Sequence, residues 1–489
     1  SGMGGTGTLR IESHPYYTSI APTLNYPPGG WTFAGSLLVS KGNLTINDPF
    51  APALLSITGG TVAFNQTLSY TSDFTITGAA SVSFGVTQTF SKLNVYGVMS
   101  GAGAVSVSDT LVFSGTMSGT GKTTLGPGGT ATIVNCSLIG RTLENAGTVQ
   151  FTGTMTMSGN ARFSNLPSGL AVVSTNYPTA GYVFGWNDGN PGIVNAGTFR
   201  KVTNSTTNVH SMVWFSNTGK IEVQAGKLSL YSISGNLGDV SVSPGASLSL
   251  SGVYTIDKPL TLSSGSSLSL SGSWENKSAI TGNGISLILA GSWTNSGTFD
   301  ISNSSWSIGG DFDSLGPTMG SGNTYTYTGA FYGTTLKADL STGDVYLQAG
   351  YLDSVVLAAS QGARFIVNGS NPVAAYGTSL EGEMVITSCG SLVIGSDFTL
   401  RDGAILRVNN AGCQRDSIEF RGTGTLGGTG TIEINEGGSR NALYVNGAYL
   451  TVDPGVTIRL RSNGATTSNA TISLDGKIFN HGTFSSEQN

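Results

Sequence analysis

The sequence predicts an all-β chain, a single-stranded parallel, right-handed β-helix or solenoid with an N-terminal cap. Three observations lead there. A phrase of Asn-x-Gly-Thr/Lys followed by a β-branched or aromatic residue returns at Asn145-Ala-Gly-Thr-Val149, Asn195-Ala-Gly-Thr-Phe199, Asn217-Thr-Gly-Lys-Ile221, Asn295-Ser-Gly-Thr-Phe299 and Asn480-His-Gly-Thr-Phe484. A second phrase, Gly followed by alternating Leu and Ser, recurs at Gly226, Gly245 and Gly265, at spacings of 19 and 20 residues. Between these phrases the hydrophobic pattern has period two and no helical period. A strand-and-turn repeat of about 20 residues is the mark of a coil that climbs one strand spacing per turn. The chain has room for roughly 20–24 such coils, a stack on the order of 110 Å at the usual strand spacing.

Residues 1–35 open differently, with His14-Pro-Tyr-Tyr17, Tyr26-Pro-Pro-Gly-Gly30 and Trp31 in a stretch of little alternation. Proline lacks a ladder donor and sits at sheet ends, and an open terminal coil must be covered. The segment therefore reads as an N-terminal cap, with an attachment segment as the alternative. Residues 36–310 form the main β-helix. Ser81-Val-Ser-Phe84, Val105 through Phe113, Leu260-Thr-Leu262 and Ile285 through Leu289 put aliphatic and aromatic side chains inward and hydroxyls outward. Glycine-containing steps supply the corners, and the Asn of the first phrase belongs at a corner where stacked amides hydrogen-bond between coils.

One stretch breaks the rhythm, from Asn165-Leu-Pro-Ser168 to Asp188-Gly-Asn-Pro191, and bulges from one face as loops inserted into solenoids do. Residues 311–380 are a transition with aromatic loops at Tyr325, Tyr327, Phe331 and Tyr332. Residues 381–489 form a C-terminal β-helical segment with a more charged surface. Positions 381–461 alone hold 16 of the 49 charged residues, either as a binding face or simply as a solvated exterior.

Of 489 residues 72 are Gly, 38% are hydrophobic and only 10% are charged. Such a chain buries a core and is not of disordered composition. The net charge of −5, with no basic cluster, argues against nucleic acid, which needs a positive stripe. No apolar run reaches the length of a transmembrane helix. The hydroxyl-rich, charge-poor surface fits a secreted, extracellular or cell-surface protein. The Gly-rich opening Ser1-Gly-Met-Gly-Gly5 reads as a processed terminus or as one piece of a longer chain. Eight Asn-x-Ser/Thr sequons are no more than this composition gives by chance.

Candidate chemistry is sparse. Cys389 and Cys413 lie 24 residues apart, close to one coil, and equivalent positions on adjacent coils are about 4.8 Å apart, within reach of a disulfide. A bridge and two buried thiols both fit that spacing, while Cys136 reads as a core residue. Of the three histidines, His14, His210 and His481, none has neighbours that suggest a triad. Asp311 and Asp313, two apart on a strand, face one side and are the candidate metal ligands; Ca2+ is the ion such oxygen donors suit. Glu381 with Glu383 forms a similar pair, and Arg401-Asp402 and Arg415-Asp416 are mixed pairs. Tyr177, Tyr182 and Trp186 in the long insertion are the carbohydrate-binding candidates. Trp274, Trp293 and Trp306 offer the same ring chemistry, with corner packing as the favoured role. No catalytic residue is assigned, and no resident cofactor is expected.

The phrases Val194-Asn-Ala-Gly-Thr-Phe199, Phe215 through Leu230 and Met117-Ser-Gly-Thr-Gly121 resemble the β-helical repeats of very large bacterial surface proteins. These include haemagglutinin-like adhesins and autotransporter passengers. The resemblance covers residues 95–310 and, more weakly, 380–489. It implies secretion and a surface role, and it carries over no catalytic residues. The sequence therefore points to an extracellular structural or adhesive rod. Such a rod binds carbohydrate, or associates with itself or other surface proteins into a fibre or layer. The alternative is a polysaccharide lyase or glycoside hydrolase on the same scaffold.

Overall fold

In the computed structural model the described residues are 4–5, 7–12, 23–25, 32–33, 35–47, 51–68, 70, 73–175, 182–312, 318–319, 321–339, 342–409, 416–435, 441–462 and 470–488. Every regular element among them is a β-strand. The chain forms two compact units, Ser1–Thr261 and Leu262–Asn489, and each is a parallel β-solenoid, as the repeat phrases require.

In the first unit the coil has three short strands. Thr148–Phe151, Met155–Ser158 and Arg162–Asn165 pair in parallel with Leu170–Val173, Tyr182–Trp186 and Gly192–Asn195 of the following coil. Those in turn pair with Thr198–Lys201, Thr206–Val209 and Trp214–Asn217. A single residue occupies each inward position and meets its equivalent one coil on. Phe113, Ile133, Phe151 and Val173 form one such row, fully buried. The corners need close backbone approach. Gly101 and Gly119 stack with φ of 106° and 91°, and a Cβ on Gly119 would stand 2.5 Å from the carbonyl oxygen of Gly101. That requirement explains the repeated Met-Ser-Gly of the sequence.

The ladder begins within the segment read as a cap. Thr8–Ile11 pairs in parallel with Ser36–Val39, and Gly4–Gly5 with Thr32–Phe33; His14 to Tyr17 and Tyr26 to Trp31 lie outside the described residues. Further along, the corner asparagines form a buried amide ladder. Nδ2 of Asn145 donates to Oδ1 of Asn165 at 2.7 Å, Asn165 to Asn195 at 2.7 Å, and Asn195 to Asn217 at 2.6 Å. Sequence separations along it are 20, 30 and 22 residues, so the insertion lengthens one coil and leaves the register intact. Asn145, Asn165 and Asn217 also serve their own corners, as Oδ1 of Asn145 does by accepting from the N–H of Gly147 at 3.1 Å.

Two cations, Arg141 and Lys201, are fully buried. The Arg141 guanidinium donates to Thr123 Oγ1 and to the carbonyls of Gly101, Gly103, Ser118 and Lys122, so every direction of its fork meets an acceptor. Burial still pulls it down to about 10. Lys201 donates to the carbonyl and hydroxyl of Thr203 and to Ser205, and burial lowers it to about 8.

In the second unit Trp274 and Trp293 stack at 4.9 Å between centroids, and their indole N–H groups donate to Ala290 and Gly309 carbonyls. Trp306 packs edge-on to Phe299 at 5.3 Å. All three are core residues, 2–3% exposed, at inward positions within strands and not at corners. The coils widen toward the end of the chain, with 26 residues between the partners Glu433 and Arg459 and 29 between Asn441 and Ala470. The charges of this region pair across coils. Arg364 meets Asp344 at 2.6 Å. Arg407 lies 3.6 Å from Glu383 and 3.1 Å from Glu433. Glu433 also takes Arg459 and Arg461, which share Glu487. Opposite charges thus alternate from coil to coil, and the wider surface is largely self-neutralised.

The asparagine ladder gives the first prediction. Asn195→Ala leaves Oδ1 of Asn217 without its donor and removes one of the acceptors of Asn165, whose Nδ2 keeps the carbonyls of Gly169 and Thr198. It should destabilise the protein by about 1–3 kcal/mol, the cost of one unsatisfied buried group. Asn195→Asp should cost at least as much, because a carboxylate would face two acceptors. Thermal unfolding followed by circular dichroism checks both.

Candidate functional site

The inserted coil returns to the ladder through Tyr182–Trp186. Phe184 points inward and packs on Phe151 at 4.7 Å, which anchors the strand. Its register shifts between Tyr182 and Phe184 against Asn208 and Val209 of the next coil. That irregularity turns the Tyr182 ring outward. Trp186 closes the strand, and its indole N–H donates to Gly189 at 3.2 Å. Asp188 secures the turn by accepting from the N–H of Gly159 at 2.6 Å.

His210 lies between these two rings, 4.5 Å from Tyr182 and stacked 5.8 Å from Trp186 at 17°. Its orientation is set by Nδ1, which accepts from the N–H of Met212 at 3.1 Å. One coil further, Tyr231 follows Leu230, the register partner of Val209, so it stands opposite His210. Its hydroxyl reaches Asn208 Oδ1 at 3.5 Å. Tyr182, Trp186 and Tyr231 are each 38–43% exposed. Three coils therefore contribute to one patch of ring surface edged by amide and carboxylate groups. On the neighbouring corner the Arg162 guanidinium sits 4.7 Å over the Trp214 ring, which lies across Gly192, where any Cβ would clash.

Of the residues singled out from sequence, Tyr182 and Trp186 are brought together; Tyr177 lies outside the described residues. Asp311 stands in a short strand and Asp313 is not described, so the pair is not assembled by any observed contact. Among the described residues no group of three or more His, Cys, Asp or Glu could hold a metal ion. Glu381 and Glu383 do not converge, because Gly382 (φ 81°) and a register shift between them divide the strand. They engage Arg401 at 3.3 Å and Arg407 at 3.6 Å respectively. Cys389 is disulfide-bonded, Cys413 is not described, and Cys136 is free and buried, its thiol pushed up by burial. His481 is exposed and His14 is not described.

Asp416 belongs to the same strand face as the buried Ile418 and Phe420 and is itself fully buried. Neither carboxylate oxygen has a well-formed hydrogen bond. Burial raises its carboxyl from 3.8 to about 6, opposed by the nearby N–H groups of Cys389 and Gly390.

His210 and Tyr231 were not legible as parts of a ring patch. Each sits alone in its repeat, and only the coil register sets them beside the insertion. The sequence matches no protein-family model and no curated protein.

The buried carboxyl yields a pH prediction. The folded state holds the Asp416 proton more tightly than the unfolded one. Stability from the neutral form is therefore full below pH 3.8 and is lost as pH rises through about 6. Asp416→Asn should raise the melting temperature at pH 8, recovering up to about 3 kcal/mol, and leave it nearly unchanged at pH 4. Melting curves of both proteins across that range check it.

Proposed function

We propose that the protein is an extracellular adhesive scaffold that holds carbohydrate on the ring patch of its first unit. The observation that carries this reading is the exposed Tyr182, Trp186 and Tyr231 set around His210 on a rigid parallel ladder. Exposed aromatic rings offer apolar faces to the C–H faces of a sugar, and their polar tips and neighbouring amides serve its hydroxyls. Asn208, whose Oδ1 lies 3.5 Å from the Tyr231 hydroxyl, is one such group. Because the rings sit on successive coils with locked cores, little side-chain freedom is lost on binding.

The extracellular placement is supported by the disulfide at Cys389, since disulfides persist in oxidising compartments. The low charge and hydroxyl-rich exterior agree. The adhesive role rests on the repeats.

The test is retention on a panel of immobilised polysaccharides, with Trp186→Ala and Tyr182→Ala. Retention by the unaltered protein should fall at least tenfold in either variant, with circular dichroism unchanged. Equal retention by all three would remove the patch from the account. Release of unsaturated or reducing sugar from the same panel would make the protein an enzyme instead.

A further inference from the structure

The second unit carries a different arrangement, independent of the first. Tyr332, Tyr351 and Tyr376 come from three consecutive coils, their rings 5.8 Å and 4.9 Å apart between centroids. Tyr332 is 60% exposed and the other two are half-buried. Register links the strip directly to what lies beyond it. Asp353 pairs with both Tyr332 and Tyr376. Tyr376 then lies across Gly395, where a Cβ would come within 2.1 Å of its ring. Gly395 and Arg421 follow the paired residues Ile394 and Phe420.

At this end of the strip is a cavity of about 260 Å3. Its floor is the Ser391 and Ser417 hydroxyl pair, 3.1 Å apart on register partners. Val393 and Pro372 give it an apolar wall, and Glu419 and Arg421 a charged one. The Arg421 side chain is 61% exposed but is held by Glu419, which accepts from its Nη2 at 2.8 Å. Asn446 donates to the other carboxylate oxygen of Glu419. The rim includes Cys389, where Ser388 and Cys389 are successive non-glycine residues with φ of 54° and 69°. Left-handed backbone at consecutive non-glycine positions is costly and concentrates at sites of function.

We infer that this cavity takes the terminal residue of a neutral sugar chain, with the tyrosine strip carrying the residues that follow. The cavity is smaller than the sites of drug-sized ligands, about 300–1,000 Å3, which suits a single sugar ring. Its groups are hydroxyls, a guanidinium with donors left over from Glu419, and the apolar faces of Pro372 and Val393, a set that hydrogen-bonds and covers a polyol. An acidic sugar is disfavoured because Glu419 balances Arg421 and would face the added charge. The tyrosines repeat once per coil, so an extended chain lying along the axis meets a ring at each step. The ligand class rests on the glycan reading proposed above; the site does not share a residue with it.

Ligand-observed NMR with methyl hexosides, methyl uronates and linear oligosaccharides tests the inference. A neutral hexoside should bind the unaltered protein. Its affinity should fall at least tenfold in Arg421→Gln, an exposed position that leaves the core intact, with both proteins carrying Trp186→Ala so that the first-unit patch adds nothing to the signal. Tyr351→Ala should weaken oligosaccharides and leave the monosaccharide as it was. No hexoside binding, equal binding by Arg421→Gln, or a preference for uronates would each overturn it. Polysaccharide retention that depends on Trp186 while hexoside binding ignores Arg421 would sink this cavity and leave the first-unit patch standing. The converse result would do the reverse.

Discussion

Everything in the structure depends on register. In a parallel ladder each inward residue sits above its equivalent on the previous coil, so a slip of one position would turn a whole wall inside out. The rows of Phe, Ile and Val are the apolar side of that lock, and the corner asparagines are the polar side. Aliphatic rows tolerate exchange of similar volumes. An amide row does not, because each member must donate to one neighbour and accept from the other. The same lock brings the functional candidates together. Tyr182, His210 and Tyr231 are distant in sequence and adjacent only because their coils stack in step.

Charge is where the simple picture of an apolar interior fails, and it fails in three distinct ways. Arg141 is buried with its donors met by carbonyls of the two preceding corners, so it ties corners together without a counterion. Asp416 is buried with little to hold its charge, and it titrates upward in consequence. The buried Glu433 is met by the partly exposed Arg407, Arg459 and Arg461, which also answer Glu383 and Glu487 across coils. Buried ion pairs often do no more than offset their own desolvation. Their value in a ladder is that an alternating row penalises any register but one.

The architecture was legible because its determinants are local and repeated. Period-two alternation marks strands, Asn-x-Gly marks corners, and both recur at the coil spacing; the amide ladder and the buried tryptophans followed from that pattern. What was not legible depends on coil length. Spacings of 20, 30 and 22 residues along one asparagine row cannot be aligned without knowing which residues are looped out. The partners of Tyr182 were hidden for that reason. The same holds for the Tyr332, Tyr351 and Tyr376 strip, whose members are not at equal offsets in their repeats. Glu381 and Glu383 mislead for a related reason: a corner glycine between them breaks the alternation on which their pairing was argued.

The amide ladder of the first unit has a direction. Asn145, Asn165 and Asn195 each donate toward the C-terminal neighbour, and Asn217 ends the row on the carbonyl of Leu237. Their amide dipoles therefore add head to tail, and each bond polarises the next in the low-dielectric interior. A β-sheet ordinarily has only a small net dipole. This row supplies an axial one from side chains alone, a polarity that runs along the stack as a macrodipole runs along a helix.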